Sequence, residues 1–88
     1  MAIQKRHYIY IVKCKDNTYY TGYTVDIEKR IQTHNKGKGA KYTQTRRPVE
    51  LLYSESFDSK REALQREYAI KQLTREQKTK LINQEVTT

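Results

Sequence analysis

Two tyrosines, an arginine, a histidine and a glutamate are the residues of this chain whose types and spacing could do chemistry. Five of the eight tyrosines (Tyr8, Tyr10, Tyr19, Tyr20 and Tyr23) fall within sixteen residues. Arg30 and His34 follow one helical turn apart, and Glu67 stands alone further on. Ser/His/Asp, Cys/His zinc-ligand and Asp-rich metal patterns are all missing from the sequence. The inventory that remains suits phosphodiester hydrolysis. One carboxylate can hold a divalent cation that polarises a phosphoryl oxygen. An arginine can stabilise the charge that builds on phosphorus. A tyrosine can orient or deprotonate the attacking water, although an unperturbed phenol with a pKa of about 10 is a poor base at neutral pH.

The elements that must position these groups follow from local patterns. Residues 7–14 (HYIYIVKC) are rich in aromatic and β-branched types and predict a buried strand. Lys15-Asp16-Asn17 supplies the turn and residues 18–23 the return strand. The register is the open question. A three-residue loop sets Tyr10 opposite Gly22 and Val12 opposite Tyr20, so Tyr10 and Tyr20 share a face. A two-residue loop puts them on opposite faces.

Thr24 is the N-cap expected for a helix running to about Asn35, with Asp26 and Glu28 in its first turn. Ile27 and Ile31 define its buried stripe, and at ~100° per residue Arg30 and His34 lie at the margin of that stripe. Each has a bland alternative: a snorkelling surface arginine and a core or capping histidine. Gly37 ends the helix. Residues 36–43 (KGKGAKYT) then read as a loop whose glycines let backbone N–H groups approach a phosphate.

Val49–Phe57 predicts a third strand opened by Pro48. Ser59…Glu62 is a capping box for a helix to about Gln72, with Leu64 and Tyr68 marking its buried side, flanked by Ala63 and Ile70. Glu67 falls within that apolar arc, where a carboxylate is costly unless it is paired or binds a metal. An i,i+4 pair with Lys71 is the plain alternative. Thr74…Gln77 starts a short last helix to about Ile82.

The bulk properties agree with a nucleic-acid partner. The chain has 88 residues, enough for one domain, and a net charge of +8. Lys36, Lys38, Lys41, Arg46 and Arg47 cluster in a stretch without an acid, and Lys71 adds to a second basic patch, so these six are the candidate phosphate contacts. The single cysteine, Cys14, cannot form an internal disulfide and suits a core position. No apolar run approaches the ~18 residues of a membrane span. These features lead us to expect a soluble cytoplasmic protein without membrane contact. Residues 1–6 read as a basic lead-in, 7–83 as the domain and 84–88 as a fraying tail.

The ordered set of motifs resembles the GIY-YIG nuclease family, in particular its small stand-alone bacterial members. Tyr8-Ile9-Tyr10 looks like the first tripeptide and Tyr20-Thr21-Gly22 like the second. Arg30, His34 and Glu67 fall where that family carries its catalytic arginine, a histidine and its metal-binding glutamate. The segments Gly37–Thr43 and Ala63–Tyr68 look like those of the small members, and the likeness covers roughly residues 7–82. Tyr8 replaces the first glycine, Thr21 the middle isoleucine of the second tripeptide, and Tyr23 a lysine that some relatives carry. Asn83 is a poor counterpart of an asparagine used elsewhere in the family.

The resemblance implies an α+β fold with a three-stranded sheet flanked by about three helices, in the order β-β-α-β-α-α. It also implies metal-dependent endonucleolytic cleavage of DNA in DNA processing or repair, with low intrinsic sequence specificity. Tyr10 and Tyr20 would line the site, Arg30 would stabilise the pentacovalent phosphorus, His34 would assist, and Glu67 would bind Mg²⁺ or Mn²⁺. A protein partner would supply specificity. The alternative is a DNA- or RNA-binding module that keeps the fold with weak or no catalysis.

Overall fold

The computed structural model describes residues 6–84. The proposed lead-in and tail therefore lie almost entirely outside the described residues. The elements are β1 (His7–Lys13), β2 (Tyr19–Thr24), α1 (Ile27–Asn35), α2 (Lys41–Gln44), β3 (Glu50–Phe57), α3 (Lys60–Lys71) and α4 (Arg75–Asn83). Both outer strands pair antiparallel with β1, giving the order β2-β1-β3.

The central strand reads as a continuous apolar run because both of its faces are covered. Ile9, Tyr10, Ile11 and Val12 are all fully buried. Odd positions face one way: Ile9 and Ile11 pack with Ala63 and Ile70 of α3 and with Leu81 and Ile82 of α4. Even positions face the other way: Tyr10 and Val12 pack with Cys14, Val49, Tyr20 and Ile31 of α1. The sheet thus separates two small cores, and alternation along one strand decides which side chain belongs to which.

The hairpin takes the three-residue loop. Cys14 N–H donates to Thr18 O at 2.8 Å, and Asn17 N–H to Cys14 O at 2.9 Å. Asn17 adopts φ 68°, a left-handed conformation that asparagine tolerates. Asp16 Oδ1 accepts from the Thr18 hydroxyl at 2.6 Å and from Thr18 N–H at 3.2 Å, closing the turn. Tyr10 consequently faces Gly22 and Val12 faces Tyr20.

Several boundaries differ from the sequence expectations. Asp26, not Thr24, caps α1, accepting from Lys29 N–H at 3.1 Å; Thr24 instead braces the Asp26 backbone through its hydroxyl. The C-terminus of α1 forms a Schellman motif. Gly37, at φ 80°, donates to His34 O, and Lys38 N–H donates to Thr33 O, each at 3.0 Å. The stretch expected to be a loop contains α2, a single helical turn absent from the expected element order. On α3 the buried residues are Ala63 and Ile70, while Leu64 is 40% and Tyr68 69% exposed. The helix turns its small residue to the sheet because Ala63 permits close approach, and Leu64 and Tyr68 are left outside. The last helix carries the full capping box between Thr74 and Gln77. No helix among the described residues is long and apolar enough to cross a membrane.

One polar atom stands out in the β2 strand. Thr21 is 3% exposed, opposite Ile11, and its hydroxyl has no hydrogen-bond partner among the described residues. An unsatisfied buried hydroxyl costs about 1 kcal/mol or more. Thr21→Val keeps the shape and removes the hydroxyl, so it should raise Tm by roughly 4–8 °C for a domain this size. A melt by circular dichroism reads this, and a lowered Tm would show that the hydroxyl is satisfied.

Candidate active site

The site is built around the Tyr10 hydroxyl at the middle of the central strand. α1 crosses the even-numbered face of the sheet and sets Arg30 and His34, one turn apart, over it. His34 Nε2 lies 2.8 Å from Tyr10 Oη, and Arg30 Nε donates to the same oxygen at 3.3 Å. Gly22 is the residue that makes room. A Cβ at that position would overlap the Tyr10 hydroxyl, so the second strand must present a glycine there. Tyr20 completes the cluster, with its ring 6.5 Å from that of Tyr10 and 5.5 Å edge-on to His34. Tyr10 and His34 are fully buried, whereas Tyr20 and Arg30 are half-buried and reach the surface. The two Nη groups of Arg30 have no partner among the described residues.

Burial governs the electrostatics. It pushes the Tyr10 phenol above its ordinary pKa; hydrogen bonding and charge from Arg30 oppose that rise, while Tyr20 and Glu67 add to it. Burial, followed by the Arg30 charge, pushes His34 below its ordinary value. Near neutral pH the site therefore holds a protonated tyrosine against a neutral imidazole.

His34 is held from its other side by the segment between α1 and α2. Thr43 Oγ1 lies 2.8 Å from His34 Nδ1, and Gly39 packs so closely on the ring that a Cβ there would strike it. The glycine read as a phosphate approach thus serves the packing of a histidine. Tyr42 on α2 stacks on Tyr20 at 5.9 Å, Arg46 lies 4.0 Å over Tyr42, and Arg46 pairs with Asp16 at 3.0 Å. Gly39, Tyr42, Thr43 and Asp16 are members of this assembly that sequence reasoning did not assign to it.

Glu67 does not join the other four residues. Tyr10, Tyr20, Arg30 and His34 meet on one face, while α3 packs on the Ile9–Ile11 face. No hydrogen bond among the described residues joins Glu67 to the tyrosines. Its carboxylate, on a side chain 17% exposed, pairs with Lys71 Nζ at 3.2 Å. Its charge nevertheless acts on the Tyr10 hydroxyl. The structure shows the i,i+4 pair with Lys71, on a carboxylate that flanks the buried Ala63 and Ile70 on the Leu64 side of α3.

The basic residues divide into two groups. Lys36, Lys38 and Lys41 are exposed, and no carboxylate among the described residues pairs with them. The other three are engaged within the protein. Arg46 binds Asp16 and donates to Tyr42 O at 2.7 Å. Arg47 donates to Gln44 O at 2.9 Å and Asn35 O at 3.3 Å. Lys71 holds Glu67. The stretch without acids in sequence gains one in space, because the hairpin delivers Asp16.

This fold and its tyrosine–arginine–histidine cluster define a nuclease-like domain. The chain belongs to the GIY-YIG family: residues 6–81 match the GIY-YIG catalytic domain. It is 65% identical over 79 residues to a UPF0213 protein of Staphylococcus haemolyticus, covering 90% of this chain and 96% of that one. It is 64% identical over 72 residues to the UPF0213 protein YazA of Bacillus subtilis, covering 82% and 73%. Among solved structures it resembles the solution NMR structure of a UPF0213 protein of Bacillus halodurans, at 49% identity and a TM-score of 0.58, covering 89% of this chain and 83% of that one. A protein of E. faecalis, also solved by NMR, gives 41% identity and a TM-score of 0.66 over 100% and 94% of the two chains.

The lowered pKa of His34 links stability to pH. Protonation favours the unfolded chain, so the contribution of the neutral ring is fully present above about pH 6.5 and is lost as pH falls through the lower folded value. Between about pH 7 and pH 5 the Tm of the wild type should drop more steeply than that of His34→Gln. Parallel curves for the two proteins would contradict the linkage.

Proposed function

We propose that this protein is a divalent-metal-dependent endonuclease that hydrolyses DNA phosphodiester bonds with low intrinsic sequence specificity, in DNA processing or repair. The observation that carries the reading is the Tyr10 hydroxyl fixed between Arg30 Nε and His34 Nε2. That bond commits one edge of the guanidinium to the protein and leaves both Nη groups available at the surface. They can meet two oxygens of a phosphate, where a bidentate contact strengthens as charge builds on phosphorus. Tyr10 and His34 act in this scheme as the brace that aims Arg30. Tyr20, half-buried beside them, is the hydroxyl a water can reach, and it orients the attacking water. Lys36, Lys38 and Lys41 hold the DNA backbone around the site.

The donor set suits Mg²⁺ or Mn²⁺. Among the described residues no three His, Cys, Asp or Glu side chains gather into a cage, and Mg²⁺ commonly takes one or two carboxylates with waters and substrate phosphate oxygens completing its shell. Glu67 would hold the ion, which when bound would polarise the phosphoryl oxygen and stabilise the leaving oxygen. Lys71 pairs with that carboxylate at 3.2 Å, so a bound ion would have to compete with its ammonium group.

Purified protein with Mg²⁺ or Mn²⁺ should nick supercoiled plasmid, and Glu67→Gln should reduce nicking by 100-fold or more, about the scale of a lost catalytic electrostatic group, with the fold retained by circular dichroism. Equal nicking by both proteins would mark a contaminant. DNA binding without nicking by the wild type would favour the reading as a binding module. DNA affinity should fall with log salt at a slope of roughly −3, from three phosphate contacts at about −0.9 each. A flat response would remove nucleic acid as the partner.

A further inference from the structure

Thr43 is buried, belongs to neither tripeptide and touches no part of the site that substrate could reach. Its hydroxyl has one proton and two neighbours. It donates to Ala40 O at 2.9 Å and lies 2.8 Å from His34 Nδ1. The carbonyl can only accept, so the single proton goes there and the Thr43 oxygen must accept from the histidine. The other end of the ring obeys the same constraint. Tyr10 Oη receives Arg30 Nε–H and has one proton of its own, and the ring nitrogen 2.8 Å away is the acceptor left for it. Both ends select the same state: Nδ1 protonated and Nε2 bare.

We infer that Thr43 is a positioning residue for the active site: its hydroxyl, anchored on the Ala40 carbonyl, fixes His34 as the Nδ1–H tautomer so that Nε2 accepts from Tyr10 and the Tyr10 oxygen stays open to Arg30. The opposite tautomer would point a second N–H at the Tyr10 oxygen, compete with Arg30 for it and leave the Tyr10 proton without an acceptor. The segment Gly39–Thr43 is then a clamp on the imidazole. Gly39 permits close approach to the ring, and the turn of α2 places Thr43 Oγ1 back over Ala40. The titratable and charged groups around His34 are Tyr10 from β1, Tyr20 from β2 and Arg30 from its own helix; Thr43, from α2, carries no charge. The catalytic consequence rests on the proposed nuclease function, whereas the tautomer does not.

The test uses the full chain labelled with ¹⁵N on histidine, at about pH 8 where imidazole is neutral. Long-range ¹H–¹⁵N correlation should show His34 of the wild type and of Thr43→Ser with the proton on Nδ1, and Thr43→Val with a substantial population carrying it on Nε2. In plasmid nicking, Thr43→Val should lower kcat by about 10- to 100-fold with KM nearly unchanged, the scale typical of lost supporting hydrogen bonds. Thr43→Ser should restore most of that loss. A wild-type proton on Nε2, or a folded Thr43→Val indistinguishable from wild type in the NMR spectrum, overturns the inference. If Thr43→Val does not fold, the wild-type and Thr43→Ser spectra still decide it. A confirmed tautomer in a protein that does not nick would overturn the nuclease reading and leave the clamp standing.

Discussion

The hydrogen bond between Tyr10 and His34 is the constraint on which the rest of this small protein depends. It is wholly buried and joins the central strand to the first helix, in a core too thin to leave two polar side chains unpaired. An unmade bond there would expose a phenol and an imidazole to the full cost of burial without a partner. The bond is made because neighbouring positions comply. Gly22 has no side chain to block the phenol, Gly39 none to push the imidazole, and Thr43 satisfies the far nitrogen. The polar network is complete, and a complete network fixes one arrangement of side chains where an apolar filling would tolerate several.

The sheet divides labour between its faces. One face carries Tyr10, Tyr20, the arginine and the histidine; the other carries most of the aliphatic core, Tyr19, Tyr23 and Tyr53, and both C-terminal helices. Glu67 belongs to a helix of the second face, and its charge acts on Tyr10 only weakly, behind burial, Arg30 and Tyr20. Lys71 pairs with the Glu67 carboxylate. Lys36, Lys38 and Lys41 remain exposed on the outer surface, while Arg46 and Arg47 tie α2 to the hairpin and to the end of α1.

Local features were legible in the sequence. The turn at Lys15-Asp16-Asn17 was legible, but its length was not: only the structure selects the three-residue loop, with Asn17 at φ 68°, that sets Tyr10 opposite Gly22. Gly37 marked the end of α1, and the Thr74–Gln77 box marked the start of α4. What escaped sequence reading depends on contacts distant along the chain. Thr24 and Asp26 are both good caps, and only the path of the chain out of β2 selects Asp26. Leu64 and Tyr68 are more apolar than Ala63, but the sheet accepts the residue small enough to let the helix close. Asp16 and Arg46 are thirty residues apart, so the basic stretch could not show its own counter-charge. Gly39 and Thr43 read as parts of a loop because nothing local reveals that a histidine lies beneath them.

The central claim is that Tyr10 and His34 work as one unit that aims Arg30. A double-mutant cycle in plasmid nicking, using Tyr10→Phe, His34→Gln and the pair together, measures this most directly. Residues acting as a unit are strongly non-additive. The double variant should therefore nick no more slowly than the worse single variant. Losses that multiply across the two substitutions would show that the residues act separately, and would contradict the account.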